Sequence, residues 1–352
     1  MKKQAYSKPY NLVLENNYPN LVIGPGFYKN NKFAEKSDPI NWKNKKLYEI
    51  DYQRKKQEFT FKEFSKKEAI NPKKELEDLQ WIAQSKKIAE FEIDFENKKK
   101  IINEKVSGIE NNAYPLTNLK ITKNIKIPKA IDKITNDTSL NAREGMLELY
   151  SKIDDVYKIE QLLSIGLLGT KKNRILVPTK WAITSVDDTI GKEIINSLKD
   201  YSLIEKIELF VFEFLENKFY IILLPYPWGF EMIEKQIEKF TIDFEIGAPK
   251  KDYAKNVIGA YYAARLEIAR YFQKNKKKGL GIIFRDISPT YYSRGVWVIR
   301  EAVKLALEKK PLYFETKEKL FNYLKENSFS STWIEQSNLI KNIRFQKRIF
   351  EF

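Results

Sequence analysis

The sequence predicts an α+β protein: a sheet with surrounding helices, spread over two domains and followed by an extended C-terminal tail. Three observations carry this. Apolar runs of strand length alternate with segments of helical period. A chain of 352 residues is long enough for roughly two domains of about 150 residues. An apolar fraction of 43% beside a charged fraction of 31% belongs to a folded chain. The limits predicted are residues 1–245 for the N-terminal domain, 246–340 for a basic C-terminal domain and 341–352 for the tail.

In chain order, residues 1–60 are rich in Asn, Lys, Tyr and Pro with little periodicity, which predicts irregular structure wrapping a core. Residues 66–100 combine good helix formers with apolar residues three and four apart, so one or two solvent-facing helices are expected. Thr138 to Ser151 reads as a helix capped by Thr138 or Ser139, with Met146, Leu147 and Tyr150 turned inward. Asp154 to Ser164 repeats that pattern. A short strand is expected over Ile175 to Val177, ahead of a helix that runs to about Leu198 and starts near Asp187 and Asp188. Ile207 to Leu215 and Phe219 to Leu224 form a hairpin around Glu216, Asn217 and Lys218, and their near-continuous apolar character predicts a sheet covered on both faces. Beyond the turn at Pro225 and Pro227, a helix is expected over Lys251 to Asn275, a buried strand over Gly281 to Ile287 and a helix over Val296 to Lys309.

Composition restricts the chemistry. There is no cysteine and no histidine, which excludes disulfides, thiolate nucleophiles, Cys-type zinc sites and every Ser-His or Cys-His triad. Acid-base work would fall to carboxylates, Lys or Tyr. No apolar run reaches the roughly 20 residues of a spanning helix, so a soluble, cytoplasmic protein without a membrane partner is expected. The formal charge is +16, which favours a polyanion as partner, nucleic acid first. The charge is concentrated: residues 201–250 hold 5 basic and 9 acidic side chains, residues 251–352 hold 21 and 10. Lys274, Lys276, Lys277 and Lys278 either touch phosphates or form a solvated helix end.

Four constellations stand out. In RILVPTKWAITSVDDTIGK, Lys180 and Trp181 precede Asp187 and Asp188, an adjacent pair that either caps a helix or holds a divalent metal. In GAYYAARLEIAR, Tyr261 and Arg265 share a helix face, which offers a stacking plane beside a phosphate fork or, more plainly, core packing with a snorkelling Arg. In FRDISPTYYSRGVW, Arg285 ends a strand and Arg294 precedes a helix; phosphate contact and simple ion pairing are the two readings. QKRIFEF places Gln346, Ile349 and Phe352 in the Q-x-x-[ILM]-x-x-[FY] spacing by which a tail docks on a sliding clamp. No metal site is specified, and no cofactor.

VPTKWAITSVDD resembles the VPTRWSITAVDD stretch of the archaeal Nre DNA-repair proteins. QLLSIGLLG, LPYPWGFEMIE, GAYYAARL and the N-terminal NLVLENNYPNLVIGPG are similar to further blocks of that family in the same order, and QKRIFEF sits where the family carries its clamp-binding motif. Lys180 stands where the family has Arg, and the clamp motif lacks its second aromatic. The resemblance implies a DNA-repair factor tethered to the sliding clamp (PCNA), acting on DNA. The enzymatic alternative is a metal-dependent nuclease or an NAD-dependent transferase acting on DNA, built from Lys180, Asp187, Asp188, Arg265 and Arg285 with Glu231 as the further acid. A third reading is a basic scaffold with no site.

Overall fold

The computed structural model describes residues 2–7, 11–15, 19–35, 39–42, 45–104, 109–327 and 331–345. The protein is α+β, and it divides into two compact units, residues 1–190 and 191–352. The tail residues Gln346, Ile349 and Phe352 lie outside the described residues.

In the first unit, β1 (Lys2–Ser7), β2 (Asn11–Glu15) and β3 (Asn20–Phe27) are followed by α1 (Asn31–Glu35), α2 (Leu47–Lys55), β4 (Glu58–Ser65) and α3 (Lys74–Gln84). Next come β5 (Ala89–Phe95), β6 (Lys100–Glu104), β7 (Ile109–Ile121), α4 (Lys129–Asn136), α5 (Ala142–Ile153) and α6 (Val156–Ser164). The strands make one sheet in the order β1-β5-β7-β4-β3-β2, with β6 added to β7. The first 60 residues are therefore not irregular: three of the strands lie there. Short alternations such as Leu21-Val22-Ile23 find long-range partners in Phe64, Glu63 and Lys62, and pairing overrides an Asn- and Lys-rich composition. Gly24 permits the close pairing of β3 with β4, since a Cβ there would lie 1.4 Å from the Thr60 carbonyl oxygen.

Within residues 66–100 there is one α-helix, α3, within the one or two expected; it buries Leu76, Leu79, Ile82 and Ala83, and the chain then becomes a strand at Ala89. Two further expectations are corrected here. The cap of α5 is Asn141, whose side chain accepts from the Glu144 amide while the Glu144 carboxylate accepts from Asn141 N. Ile175 to Val177 is no strand: Leu176 N donates to Lys66 O and Val177 N to Ser164 O, single ties rather than a ladder.

α7 (Thr179–Ser197) runs through the boundary between the units. The second unit contains β8 (Ser202–Leu203), β9 (Ile207–Phe214), β10 (Asn217–Leu224), β11 (Gly229–Gln236), β12 (Lys239–Ile246), α8 (Gly259–Lys274), β13 (Lys277–Lys278) and β14 (Leu280–Ile287). It finishes with α9 (Trp297–Leu307), β15 (Leu312–Phe314), α10 (Lys317–Glu326), α11 (Ser331–Gln336) and α12 (Asn338–Phe345). The main sheet has the order β12-β11-β14-β10-β9-β15, with β11 and β14 parallel. One face, carrying Tyr220, Ile222, Ile233, Ile282 and Phe284, packs on Leu320, Leu324, Trp333, Ile334, Leu339, Ile340 and Ile343 of α10 to α12. The other meets α8 and α9, as in the ring contacts Phe230–Tyr261 at 5.0 Å and Phe214–Trp297 at 6.4 Å. Covered on both faces, β10 and β14 are apolar almost throughout, as the sequence predicts.

The hairpin turn is shifted from its expected place. Leu215 and Glu216 form it, at φ of 47° and 62°, and Phe214 pairs with Asn217. The right-handed twist of the strands favours such a two-residue turn even without glycine, and Asn217 Nδ2 supports it by donating to Leu215 O at 2.6 Å. α8 begins eight residues later than expected. Residues 250–257 are held by carboxylates instead of by helical bonds: Lys250 N donates to Glu245 at 2.7 Å, and Asn256 N and Val257 N donate to Asp243 at 2.9 and 2.8 Å.

Candidate functional site

The N-terminal unit gathers three segments of the sequence around one hydroxyl pair. Thr179 Oγ1, at the start of α7, accepts from Val13 N at 3.0 Å and lies 3.4 Å from Ser164 Oγ, which donates to Val177 O at 2.7 Å. This node fixes the entry of α7. The helix starts directly after Pro178, with Trp181 N donating to Pro178 O. Lys180 is half-buried beside the exposed Trp181, and Asp187 and Asp188 fall in mid-helix, the first fully buried and the second half-buried. The expected helix start at these aspartates is thus corrected: α7 begins at Thr179, and both lie well inside it. Successive helical residues point to different faces, so the two carboxylates diverge. Among the described residues no group of three or more acids is placed to hold a metal ion.

In the C-terminal unit, Arg265 is sealed. Its Nη1 donates to Glu245 Oε2 at 3.0 Å in a pair whose side chains are 0% and 1% exposed. Glu245 also accepts from Trp228 Nε1 at 2.9 Å. The guanidinium stands 5.9 Å from the Tyr261 ring centre and 5.4 Å from that of Tyr262. Burial, with Glu245 close by, pushes the Tyr261 hydroxyl far above its ordinary value. The arrangement joins LPYPWG to GAYYAARL and serves as a polar rivet in the core.

Glu231, the further acid of the nuclease alternative, has a different task. Buried in β11, it accepts from Asn338 N at 2.8 Å, Asn338 Nδ2 at 3.1 Å and Leu339 N at 3.2 Å, and from the Ser337 hydroxyl. Burial raises its carboxyl above the usual range against these donors. The carboxylate thereby caps α12, where orphan amides and the positive helix end favour negative charge. It fastens to the sheet the helix that leads into the tail.

Arg285 and Arg294 are brought together. Their guanidiniums flank the Tyr291 ring at 5.3 and 5.4 Å, and Arg294 lies 3.8 Å from the ring centre of half-exposed Tyr292. Arg285 pairs with Glu234 at 2.5 Å and donates to Asn217 Oδ1 at 3.0 Å; Arg294 pairs with Glu216 at 3.4 Å, and its carbonyl accepts from Trp297 Nε1. Glu216 and Asn217 also line a cavity of about 490 Å³ together with Lys218, Asp286, Ser288 and Pro289. This is where β9, β11 and β14 end, the edge at which open sheets collect ligands. The sequence reading missed Asn217, Glu216, Glu234 and both tyrosines as members of the cluster. Their signal was the hairpin itself, whose turn brings Glu216 and Asn217 beside the end of β14.

The Arg-Tyr stacks thus lie over strand ends, with Arg285 and Arg294 both buried and each paired with a glutamate. Comparison with known proteins gives the family. The chain matches the family models described as "Archaeal Nre, N-terminal" over residues 2–241 and "Archaeal Nre, C-terminal" over residues 245–352, and it belongs to the archaeal Nre family. It is 29% identical over 324 residues to the DNA repair protein NreA of Archaeoglobus fulgidus, covering 86% of this chain and 82% of that protein. It is 36% identical over 238 residues to the DNA repair protein NreB of the same organism, covering 64% and 60%, and 34% identical over 201 residues to NreA of Haloferax volcanii, covering 53% and 48%. No solved structure matches the chain. No helix among the described residues is long and apolar enough to cross a membrane.

Proposed function

We propose that this protein is a DNA-repair factor that holds DNA through its basic C-terminal third and is recruited to the sliding clamp (PCNA) by Gln346, Ile349 and Phe352. The observation that carries the reading is the family match, whose two models span nearly the whole chain in order and whose relatives are named DNA repair proteins. The charge distribution supports the DNA contact: Lys274 and Lys276 are exposed at the end of α8, close in sequence to the half-buried Lys277 and Lys278. The α12 cap supports the tail's role, because a helix fastened by Glu231 gives the clamp motif a fixed point of departure. Docking through the tail raises effective concentration at the DNA and supplies no chemistry.

The test is capture of the full chain on immobilised sliding clamp, wild type against a variant with Gln346, Ile349 and Phe352 changed to Ala. Loss of capture is expected; undiminished capture contradicts the tail's role. A second reading, an enzyme that consumes a nucleotide such as NAD on DNA, is favoured by the cavity beside Arg285 and Arg294. Calorimetric titration with NAD tests it: saturable binding lost in Arg294→Ala supports it, and absence of binding removes it. The nuclease version lacks its further acid, since Glu231 is committed to α12.

A further inference from the structure

A second cationic and aromatic surface lies in the N-terminal unit. α2 buries Ile50 and Gln53 on one side. Its other side presents Tyr48 and Tyr52, 67% and 57% exposed, at the four-residue spacing that sets two rings in a row along a helix. The two exposed rings are neighbours along one helix face and not scattered singly, and contiguous apolar exposure is what marks a contact surface. Lys55 and Lys56, both exposed, continue the same side, and Lys56 Nζ sits 4.9 Å from the Tyr52 ring centre. From residue 45 to 56 there are five basic side chains, Lys45, Lys46, Arg54, Lys55 and Lys56, against Glu49 and Asp51. The Glu49 carboxylate is turned to the helix start, where it accepts from Lys46 N at 2.8 Å. Phe33 of α1 braces Tyr52, ring to ring at 6.4 Å.

We propose that this face of α2 binds single-stranded DNA, with unpaired bases stacked on Tyr48 and Tyr52 and the backbone phosphates beside Lys55, Lys56 and Lys46. The inference rests on the reading of the protein as a DNA-repair factor and deepens it by naming the form of DNA engaged. Stacking selects the single strand because a duplex keeps its base faces covered, whereas every unpaired base offers one. The lysines add the strand's phosphate attraction without sequence preference.

The experiment is fluorescence anisotropy of the full chain with a labelled oligo-dT strand and with a labelled duplex. Y48A/Y52A is expected to weaken single-strand binding about tenfold or more and to change duplex binding less than about twofold. Y48F/Y52F keeps the rings and is expected to bind as wild type. Both positions are exposed, so thermal melting of the variants should match wild type. Unchanged single-strand affinity in Y48A/Y52A, equal loss on strand and duplex, or a Phe variant as weak as the Ala variant would overturn the proposal. Failure of the wild type to bind either form would instead sink the DNA-holding reading itself.

Discussion

Arg265 and Arg294 use the same residue types for opposite ends. Each guanidinium lies against two tyrosine rings and pairs with a glutamate. Arg265 sits on a helix whose face turns wholly inward, so its pair with Glu245 is closed to solvent. Arg294 sits in the loop ahead of α9, and its partner Glu216 is a third exposed and lines the cavity. Both guanidiniums are buried, Arg294 at 3% and Arg265 at 0%; what differs is the partner, enclosed at Glu245 and a third exposed at Glu216. If that contrast holds, the two arginines should differ sharply on substitution.

The largest effect is expected for Arg265→Ala. It leaves Glu245 charged and enclosed, which costs about 3–5 kcal/mol, read as a lowered midpoint in chemical denaturation. Next comes Glu231→Ala, which strips the first amides of α12 of their acceptor; a loss of about 2–3 kcal/mol is expected by the same measurement. Arg294→Ala should cost only about 1 kcal/mol, because Glu216 can turn to water once its partner is gone. A value as large as that of Arg265→Ala would erase the contrast. The smallest effect concerns pH. Burial raises the Glu208 carboxyl, which accepts from the Tyr271 hydroxyl at 2.7 Å. A folded value above the unfolded one means that its contribution is complete below the unfolded value and is lost as pH rises through the folded one. The melting temperature of wild type relative to Glu208→Gln should therefore rise as pH falls from neutral toward the carboxylate range.

The covered strands β10 and β14 were legible in the sequence because burial on both faces writes a continuous apolar run. The N-terminal strands were not, since their stability comes from partners far along the chain. Asp187 and Asp188 look like a helix start because polar pairs often are, whereas α7 begins directly after Pro178, the better local signal. The Asn141 cap was visible as Asn followed three residues on by Glu. The late start of α8 had no local signal, because it depends on carboxylates of β12. At the candidate site, Arg285 and Arg294 were found from their places at a strand end and a helix entry. Their shared tyrosine and the hairpin residues beside them are brought in by tertiary structure alone.

DNA affinity measured against salt tests the central claim most directly, that the basic C-terminal third holds DNA by its phosphates. The logarithm of the binding constant should fall linearly with the logarithm of salt concentration, with a slope of about −0.9 for each phosphate neutralised. A variant with Lys274 and Lys276 changed to Glu should show a markedly shallower slope. Affinity indifferent to salt, or a slope that the two substitutions leave unchanged, would contradict the account.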